Sequence, residues 1–408
     1  MGFILALPFK NSMTFEWWGI IFAPPLKNST FLMRSPSMNL YQKSIEIILE
    51  NQKKNGSFVA SPNYPTYNYC WFRDGSFIAY SMDRTKNHSS SRNFHLWCAE
   101  VIERQSGKIT SLIERNNSGE IIPSSDFLPA RYSLSGFPTN DDWTDFQLDG
   151  YGTWLWAVKE HIEISGDDSI LTKITPAIEI ILQYLTTFWD LPCYDFWEEH
   201  LEAIHPATLG AIYAGISAAH QLKIDDLSFK LTDTQEKIKI FFNERTIHPD
   251  GYYRKMVMPN GDKDQNGLTD LVDASLIGLA VPFNIDQINN ENIQKTLKKI
   301  EKDIYYPNGG VYRYLEDTFY GGGEWILLSA WLGWYWCRTN QFDKAKQVKK
   351  FIQLHASQSG ELPEQISIHL KAPNYYSGWV NRWGEVAKPL LWSHAMYIIL
   401  CEELKPYE

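Results

Sequence analysis

The sequence predicts an all-α fold, and three observations support this class. About twelve segments carry apolar residues at the spacing of a helix face. No segment shows a convincing alternation of apolar and polar residues, which is the pattern of a strand. No sequence repeat of fixed period is found, which disfavours a helical solenoid. A bundle and a double-ring barrel of six inner and six outer helices are both compatible with this pattern.

Long loops separate some of the predicted helices. The loop at 107–146 is rich in Ser, Asn, Pro and Asp, and a second loop spans 358–385. Loops of this length in compact domains are usually functional, so we expect them to contribute to a site. The predicted helices are 40–53, 73–83, 93–105, 147–164, 171–191, 203–221, 228–243, 270–281, 288–300, 323–338, 343–354 and 386–404.

The chain is predicted to form one helical domain over residues 38–408. With 408 residues, 44% of them apolar, it can bury a large core, and barrels of this length fold as one unit. Residues 1–37 are predicted to be an atypical N-terminal extension, because Glu16 and Pro24 interrupt an apolar run and Met38 directly precedes a good helix. The extension lacks the basic region and cleavage site of a signal peptide. We hypothesise that translation starts at Met38.

Composition and charge disfavour several classes of partner. The net charge is −10 with no basic run, so no nucleic-acid partner is expected. No run of about 18 apolar residues occurs, so no membrane partner is expected. The five cysteines are odd in number and lack CxxC spacing, which predicts free thiols in a reducing, cytoplasmic compartment. No metal or cofactor is expected, and the sequence does not indicate an oligomeric state.

Residues 191–200 combine ionisable and aromatic side chains at high density. Asp195, Glu198 and Glu199 lie close together, with Trp197 among them. Aromatic side chains exclude water from a carboxyl group, and this raises its pKa toward the value that a general acid needs. A neighbouring like charge acts in the same direction. The alternative, which spacing alone favours equally, is a helix N-terminus where acids complement the helix dipole.

A second carboxyl group, Glu364, lies in a loop-like segment at 360–365. Its neighbours Pro363 and Gln365 indicate a more polar setting, which we expect to keep it ionised. Charged groups bind sugar hydroxyls in pairs and flat aromatic rings stack on sugars. Two carboxyls from distant segments, with Trp and Arg around them, are what glycoside hydrolysis requires.

Other polar residues have structural alternatives. Arg73 and Asp74 could form an ion pair at a helix start, and Trp143 could serve packing alone. Arg313 and Asp317 could be an exposed pair four residues apart, worth only a few tenths of a kcal/mol. From spacing alone, these alternatives stay open.

Six motifs, in order along the chain, together resemble the catalytic domain of glycoside hydrolase family 15, the glucoamylase-like family. The resemblance covers residues 40–404. Each motif is weak alone, whereas six in this order are strongly specific. One departure is Leu315, which stands where the family commonly has Pro. The motifs are Tyr67-Asn-Tyr-Cys-Trp71-Phe-Arg73-Asp74, Trp143-Thr-Asp-Phe-Gln147-Leu-Asp149-Gly150, Asp195-Phe-Trp197-Glu198-Glu199, Arg313-Tyr-Leu-Glu-Asp317, Leu362-Pro-Glu364-Gln365 and Leu391-Trp392-Ser393.

The resemblance implies an (α/α)6 barrel with a pocket-shaped site. Many prokaryotic relatives carry an N-terminal β-sandwich, but this chain has no room for one, so none is expected. The resemblance further implies Glu198 as the general acid and Glu364 as the general base. It also implies that Arg73 and Asp74 hold the terminal glucose at its 4- and 6-hydroxyls and that Tyr67 helps to place the attacking water. The substrate-binding residues that it implies are Tyr67, Trp71, Arg73, Asp74, Trp143, Asp195, Trp197, Glu199, Arg313 and Trp392.

The function implied by the resemblance is that of an inverting, exo-acting α-glucosidase. It would release β-D-glucose from the non-reducing ends of malto- or isomalto-oligosaccharides. The sequence shows no starch-binding module or signal peptide, so we expect a small oligosaccharide substrate rather than granular starch. One alternative is a trehalase of the same family. Another is a non-catalytic carbohydrate-binding or regulatory barrel domain, which the presence of both Glu198 and Glu364 disfavours.

Overall fold

The computed structural model describes residues 39–139, 143, 146–224, 228–261 and 267–408. Residues 1–37, predicted to be an extension, lie outside the described residues. The described part is mostly helical, with thirteen α-helices, several 3-10 turns and two short sheets. None of these helices is both long enough and apolar enough to cross a membrane.

The helices form two rings. The outer elements are α1 (Leu40–Asn51), α3 (His88–Arg104), α6 (Leu171–Phe188), α8 (Ser228–Phe241), α9 (Glu291–Asp303) and α11 (Phe342–His355). The inner elements are α2 (Phe72–Arg84), α5 (Asp149–Ser165), α7 (Pro206–Gln221), the 3-10 segment Ala274–Leu279, α10 (Ile326–Arg338) and α13 (Leu391–Leu404). Each inner element contacts the next and α13 contacts α2, which closes the inner ring. The predicted (α/α)6 barrel is confirmed.

Burial explains why the two rings differ in composition. Every residue of α10 except the last is buried, because an inner helix is covered on all sides. The outer helix α9 buries only one face, formed by four residues. At the centre, the Trp331 ring contacts those of Phe77 and Trp392, with centroid distances of 5.1 and 6.3 Å. Aromatic side chains from three inner helices therefore fill the barrel.

The alternation of outer and inner elements gathers the sequence motifs at one end of the barrel. Consecutive helices joined by loops pack antiparallel, so the inner elements share one direction. Each motif lies in a segment that leads into an inner element or in the first turn of that element. The N-terminal ends of the inner elements therefore bring the motifs together.

Two short antiparallel sheets fix these segments. Their strands are β1 (Tyr69–Trp71) with β2 (Arg131–Ser133), and β3 (Glu324–Trp325) with β4 (Gln365–Ile366). The first sheet places Trp71 opposite Arg131. Next to the second, Ile326 donates its N–H to the carbonyl of Glu364 at 3.1 Å. The Glu364 segment is thus held at the start of α10.

Two segments predicted as loops contain helices. α4 (Ser106–Asn117) lies in the predicted loop 107–146, and α12 (Tyr376–Trp383) lies in the predicted loop 358–385. α4 buries only two of its residues and α12 buries none. Both helices carry apolar residues at helical spacing, but the segments around them are rich in Gly, Pro, Asn and Ser, which predict loops.

The predicted α-helix at 270–281 is wrong, because Ala274–Leu279 is a 3-10 segment instead. The Asp273 carboxylate accepts the N–H of Ser275 at 2.8 Å. The first N–H of the segment donates to the carbonyl of Arg313 at 2.8 Å. Asp273 thus caps the start of this segment, whose helical turns are of the tighter 3-10 kind.

Two glycines allow α5 and α7 to approach closely. A Cβ atom on Gly152 would lie 2.4 Å from the carbonyl oxygen of Ala211. A Cβ atom on Gly215 would lie 2.7 Å from the carbonyl oxygen of Gly152. These obstacles are backbone atoms of buried helices, so they cannot move aside as a flexible side chain would.

We predict that Gly152→Ala lowers the free energy of unfolding by about 2–3 kcal/mol, because the added methyl group overpacks this crossing. Urea unfolding followed by tryptophan fluorescence measures the change. Gly107→Ala in α4 is the matched control, since its Cβ would meet no atom within 4 Å. A loss below about 0.5 kcal/mol in Gly152→Ala would show that the helices can separate without cost.

Candidate active site

Glu198 lies in the loop before α7, and two indole groups hold its carboxylate. Trp71 donates its Nε1–H to Oε1 at 2.5 Å, and Trp143 donates its Nε1–H to Oε2 at 2.8 Å. Burial raises the pKa of Glu198 to about 7, although the Arg73 guanidinium and both indole donors act in the opposite direction. The direction agrees with that expected from aromatic neighbours. Trp143 is therefore more than a packing residue.

The loop that carries Glu198 has a strained backbone. Glu198 and His200 have left-handed φ angles of 65° and 59°. The Asp195 side chain accepts the N–H groups of Trp197 and Glu199, each at 2.9 Å. These bonds fix the turn. The alternative of a helix N-terminus is wrong, since α7 begins further along the chain.

Two residues that sequence reasoning missed, Lys255 and Asp273, support this loop. The Lys255 ammonium group lies 3.1 Å from Asp195 and 2.7 Å from Asp273, and all three residues are buried. Burial is the largest single effect and raises the pKa of Asp195, but the charges of Lys255 and His205 and the backbone N–H of Glu199 together outweigh it, so the pKa falls below its usual value. Asp273 also accepts the indole N–H of Trp197 at 2.9 Å. A lysine inside the largely apolar run at 252–258 was the available signal.

Backbone bonds on both sides of Glu364 fix its position. Its N–H donates to the carbonyl of Ala387 at 3.0 Å, and its carbonyl accepts from Ile326. The residue is 4% exposed. Tyr67 donates its hydroxyl to Oε1 at 3.1 Å, whereas Oε2 has no hydrogen-bonding partner among the described residues. One carboxylate oxygen is thus oriented by the protein and the other is not.

The expectation that a polar setting keeps Glu364 ionised is wrong. Burial raises its pKa to about 8. The Tyr67 hydroxyl and the Arg313 charge lower this pKa, and the charges of Asp74 and Asp317 raise it further. The groups around the carboxylate come from distant parts of the chain, so its sequence neighbours did not reveal them.

Tyr67 connects the two glutamates. Its hydroxyl binds Glu364, and its ring lies edge-on to that of Trp71 at a centroid distance of 5.7 Å. Trp71 in turn donates to Glu198. Burial first, and then the charges of Glu364 and Glu198, raise the pKa of Tyr67 well above its usual value. The structure therefore brings the two distant carboxyls into one site with aromatic walls.

Arg73 and Asp74 lie in the first turn of α2 and form the helix-start ion pair that was the structural alternative, with Arg73 Nε 3.3 Å from Asp74 Oδ1, and both residues are buried. Arg73 Nη1 donates to Asp149 at 3.2 Å and to Gln147 at 3.3 Å. Burial raises the pKa of Asp74 to about 6. Trp392 is only 3% exposed, and its ring centroid lies 5.2 Å from the Arg73 guanidinium carbon. These residues form a buried part of the site.

Arg313 is also buried, which excludes the alternative of an exposed surface pair. Its Nε and Nη2 donate to the two oxygens of Asp317 at 2.8 and 2.5 Å, a bidentate pair. The same Nη2 donates to Glu199 at 3.2 Å, and Tyr314 donates its hydroxyl to Glu199 at 2.5 Å. Glu199 thus binds Arg313 and Tyr314. The main cause of the raised pKa of Glu198 is burial rather than the expected like charge of Glu199.

Arg131 is a further residue that sequence reasoning missed. Its guanidinium carbon lies 4.0 Å from the ring centroid of Trp143 and 5.5 Å from that of Trp71. A cation beside these faces stabilises the rings by cation–π attraction. Arg131 therefore supports both of the indoles that donate to Glu198.

Two groups of side chains lie close enough together to hold a cation. They are Asp195, Glu199 and His200 in the site, and Asp83, His95 and His161 at the other end of α2. In the first group, Asp195 is paired with Lys255 and Glu199 with Arg313. In the second, Asp83 binds His161 Nδ1 at 2.9 Å. Protein partners thus account for the carboxylates of both groups.

Cleaving a bond between neutral sugars requires one group that gives a proton and one that takes a proton, beside charged pairs that bind hydroxyls. The N-terminal end of the inner ring provides such groups, which indicates a glycoside hydrolase. The chain belongs to the glycosyl hydrolases family 15, whose family model matches residues 35–402. It is a glycoside hydrolase of the glucoamylase type, and the predicted family and enzyme class are confirmed.

Several relatives resemble this chain over most of its length. Isomaltose glucohydrolase of Kribbella flavida is 37% identical over 369 residues, which cover 90% of this chain and 92% of that protein. A solved wild-type glycosidase has a TM-score of 0.84 and 37% identity, and the match covers 90% of this chain and 96% of that one. A glutamate-to-alanine glycosidase variant with the same TM-score and coverage is in complex with glucose. Trehalase 2 of Sulfolobus acidocaldarius is 23% identical, over 77% of this chain and 56% of that protein.

Burial of Glu364 makes stability depend on pH. Because its pKa is raised from 4.5 to about 8, its stabilising contribution is complete below the lower value and is lost as pH rises through the higher one. Glutamine resembles the protonated form. We predict that Glu364→Gln is more stable than the wild type at about pH 9, by on the order of 2 kcal/mol, and of equal stability at about pH 4.

Urea unfolding at the two pH values measures this difference. Glu46→Gln on the exposed face of α1 is the control, and we expect it to change little at either pH. An equal effect of Glu364→Gln at both pH values would mean that the carboxyl group does not titrate as its burial requires.

Proposed function

We propose that this protein is an inverting, exo-acting α-glucosidase that releases β-D-glucose from the non-reducing ends of short α-glucosides. The observation that carries the proposal is the pair of carboxyls, Glu198 and Glu364, connected through Tyr67 in one aromatic site. Isomaltose is the first candidate substrate, because the relative that covers 90% of this chain at 37% identity is named for it.

Glu198 acts as the general acid. With a pKa of about 7, it is largely protonated in slightly acidic solution and can donate to the glycosidic oxygen. As the bond between that oxygen and the anomeric carbon breaks, the leaving sugar takes the proton. Trp71 and Trp143 then stabilise the carboxylate through their N–H groups, which are already in place.

Glu364 acts as the general base. Tyr67 orients its Oε1, and Oε2 is the oxygen that accepts a proton from the attacking water. The water oxygen bonds to the anomeric carbon from the face opposite the leaving group, so the product is β-glucose. One water is consumed, Glu364 ends protonated and Glu198 ends ionised, and exchange with solvent restores both groups.

The enclosed part of the site supports exo action. Arg73 and Asp74 provide fixed charges for the hydroxyls of a terminal glucose, and Trp392 lies behind them. A chain terminus fits against such an end, whereas the middle of a polysaccharide does not. The remaining proposed substrate contacts are Tyr67, Trp71, Trp143, Asp195, Trp197, Glu199 and Arg313.

Two further proposals concern the whole chain. Residues 38–408 are the catalytic domain, which is supported by the family match beginning at residue 35. The location is cytoplasmic, which is supported by five cysteines that are all buried free thiols. A trehalase and a non-catalytic barrel domain are less favoured, because the trehalase relative is distant and both carboxyls are present and buried in the site.

The proposal is tested by NMR of the first anomer released from isomaltose, maltose, maltopentaose and trehalose. β-Glucose from isomaltose would support it and identify the linkage. α-Glucose as the first product would contradict inversion. Binding of these sugars without any release would favour the non-catalytic domain.

Variants at the two glutamates separate the acid role from the base role. α-Glucosyl fluoride needs no protonation of its leaving group. We predict that Glu198→Gln lowers kcat on isomaltose by about 10³-fold and retains much more activity on the fluoride. We predict that Glu364→Ala loses activity on both substrates, and that azide restores turnover of the fluoride to β-glucosyl azide.

Glu199→Gln is the control for these variants. Its carboxylate binds Arg313 and Tyr314, so we expect weaker substrate binding without selective retention of the fluoride. Unchanged isomaltose hydrolysis by Glu198→Gln would refute its role as the acid. Full activity of Glu364→Ala without azide would remove it as the base.

A further inference from the structure

The helix α12 carries three aromatic side chains that stay partly exposed. None of its eight residues is buried. Tyr376, Trp379 and Trp383 have the spacing of one helix face, and all three are partly exposed. Aromatic surface left in contact with water is typical of a binding site. The proposed catalytic roles do not use this helix.

A rigid contact holds α12 next to the candidate active site. Trp379 donates its Nε1–H to the carbonyl of Thr318 at 2.9 Å. Its ring lies edge-on to Phe319, with a centroid distance of 5.0 Å, and stacks near Tyr320 at 6.1 Å. The indole therefore has one fixed orientation.

Phe319 and Tyr320, on which Trp379 packs, contact residues near Arg313 and near Glu364. The Phe319 ring centroid lies 5.1 Å from the guanidinium carbon of Arg313, which binds Glu199. The hydroxyls of Tyr320 and Tyr64 are 2.7 Å apart.

The second of these contacts leads to the proposed base. The Tyr64 ring lies 4.7 Å from that of Tyr67, centroid to centroid, and Tyr67 donates to Glu364. Trp379 is therefore connected to the Arg313 side of the site through Phe319 and to the Glu364 side through Tyr320.

Close backbone packing fixes the position of the segment that leads into α12. Lys371 and Ala372 donate their N–H groups to the carbonyls of Gly322 and Gly321 at 3.1 and 2.8 Å. A Cβ atom on Gly322 would lie 2.3 Å from the carbonyl oxygen of Asp317, the residue that holds Arg313. The segment before α12 thus packs directly against the segment that follows the Arg313 pair.

The Arg73–Asp74 pair and the helix α12 differ in exposure. Arg73 and Asp74 are 6% and 7% exposed, whereas α12 has no buried residue. In an exo-acting enzyme, the terminal glucose occupies the enclosed end. The sugar beyond the bond that is cleaved then lies on the more exposed side of the site, and α12 is an exposed aromatic helix connected to that site through Phe319 and Tyr320.

We infer that α12 is the wall that binds the leaving sugar, with the Trp379 ring as its stacking surface. The inference rests on the proposed function and names the part of the substrate that this surface recognises. Aromatic rings bind the apolar faces of sugars. The enzyme would therefore prefer substrates whose leaving group is a sugar over those with a small leaving group.

The test compares isomaltose, whose leaving group is glucose, with α-glucosyl fluoride, which has no second sugar. We predict that Trp379→Ala lowers the ratio of kcat/KM for isomaltose to that for the fluoride by about tenfold. Trp379→Phe keeps an aromatic ring, so we expect its ratio to stay within about threefold of the wild type. Trp189→Ala is the matched control, because Trp189 is partly exposed and packs on Phe241, and neither residue is a proposed substrate contact.

Each outcome separates the inference from the proposed function. An unchanged ratio in Trp379→Ala, or equal losses on both substrates, would overturn the inference while leaving the proposed function intact. A fall in the Trp189→Ala ratio as large as that in Trp379→Ala would also overturn it. A wild-type protein that releases β-glucose from neither substrate would overturn both.

Discussion

The loop at 195–200, which carries Glu198, depends on the buried ion pairs of the Lys255 ammonium group. This group pairs with Asp195, which holds the loop backbone, and with Asp273, which holds the indole of Trp197. Losing one member of a buried ion pair leaves an uncompensated charge and costs about 3–5 kcal/mol. Lys255 can therefore keep Glu198 in a left-handed conformation that an exposed loop would relax. The strain is located at the residue proposed to transfer the proton.

The topology of the barrel places charge where the helix ends can interact with it. The positive ends of the helix dipoles gather at the N-terminal ends of the inner elements. Asp74 and Asp149 lie in the first turns of α2 and α5, close to Arg73. Dipoles and arginines favour the ionised carboxylates, while burial disfavours them. This balance allows several acids to share a site that excludes water, because each acid has a specific partner.

The sequence was informative where the structure is local or motif-based. Helical spacing predicted the fold class, and the ordered motifs predicted the residues that converge. α4 and α12 were missed because the segments around them are rich in Gly, Pro, Asn and Ser, which outweighed their helical spacing. Lys255 was missed because its partners are distant in sequence. The expectation that Glu364 stays ionised was wrong for the same reason, since the groups around it are also distant in sequence. Burial and charge compensation depend on tertiary contacts, which a single sequence does not record.

The environments of the two glutamates do not by themselves assign their roles. Burial raises both pKa values, to about 7 for Glu198 and about 8 for Glu364. The proposed base, Glu364, is therefore the weaker acid of the two. Their hydrogen bonds distinguish them, since indole donors hold both oxygens of Glu198, whereas only one oxygen of Glu364 has a protein partner. In the proposed mechanism, a glycosidic oxygen beside Glu198 accepts its proton, and a water on Glu364 Oε2 requires the ionised form of Glu364. The proposed roles therefore require that substrate binding favours protonated Glu198 together with ionised Glu364, which is the reverse of the order of their two pKa values.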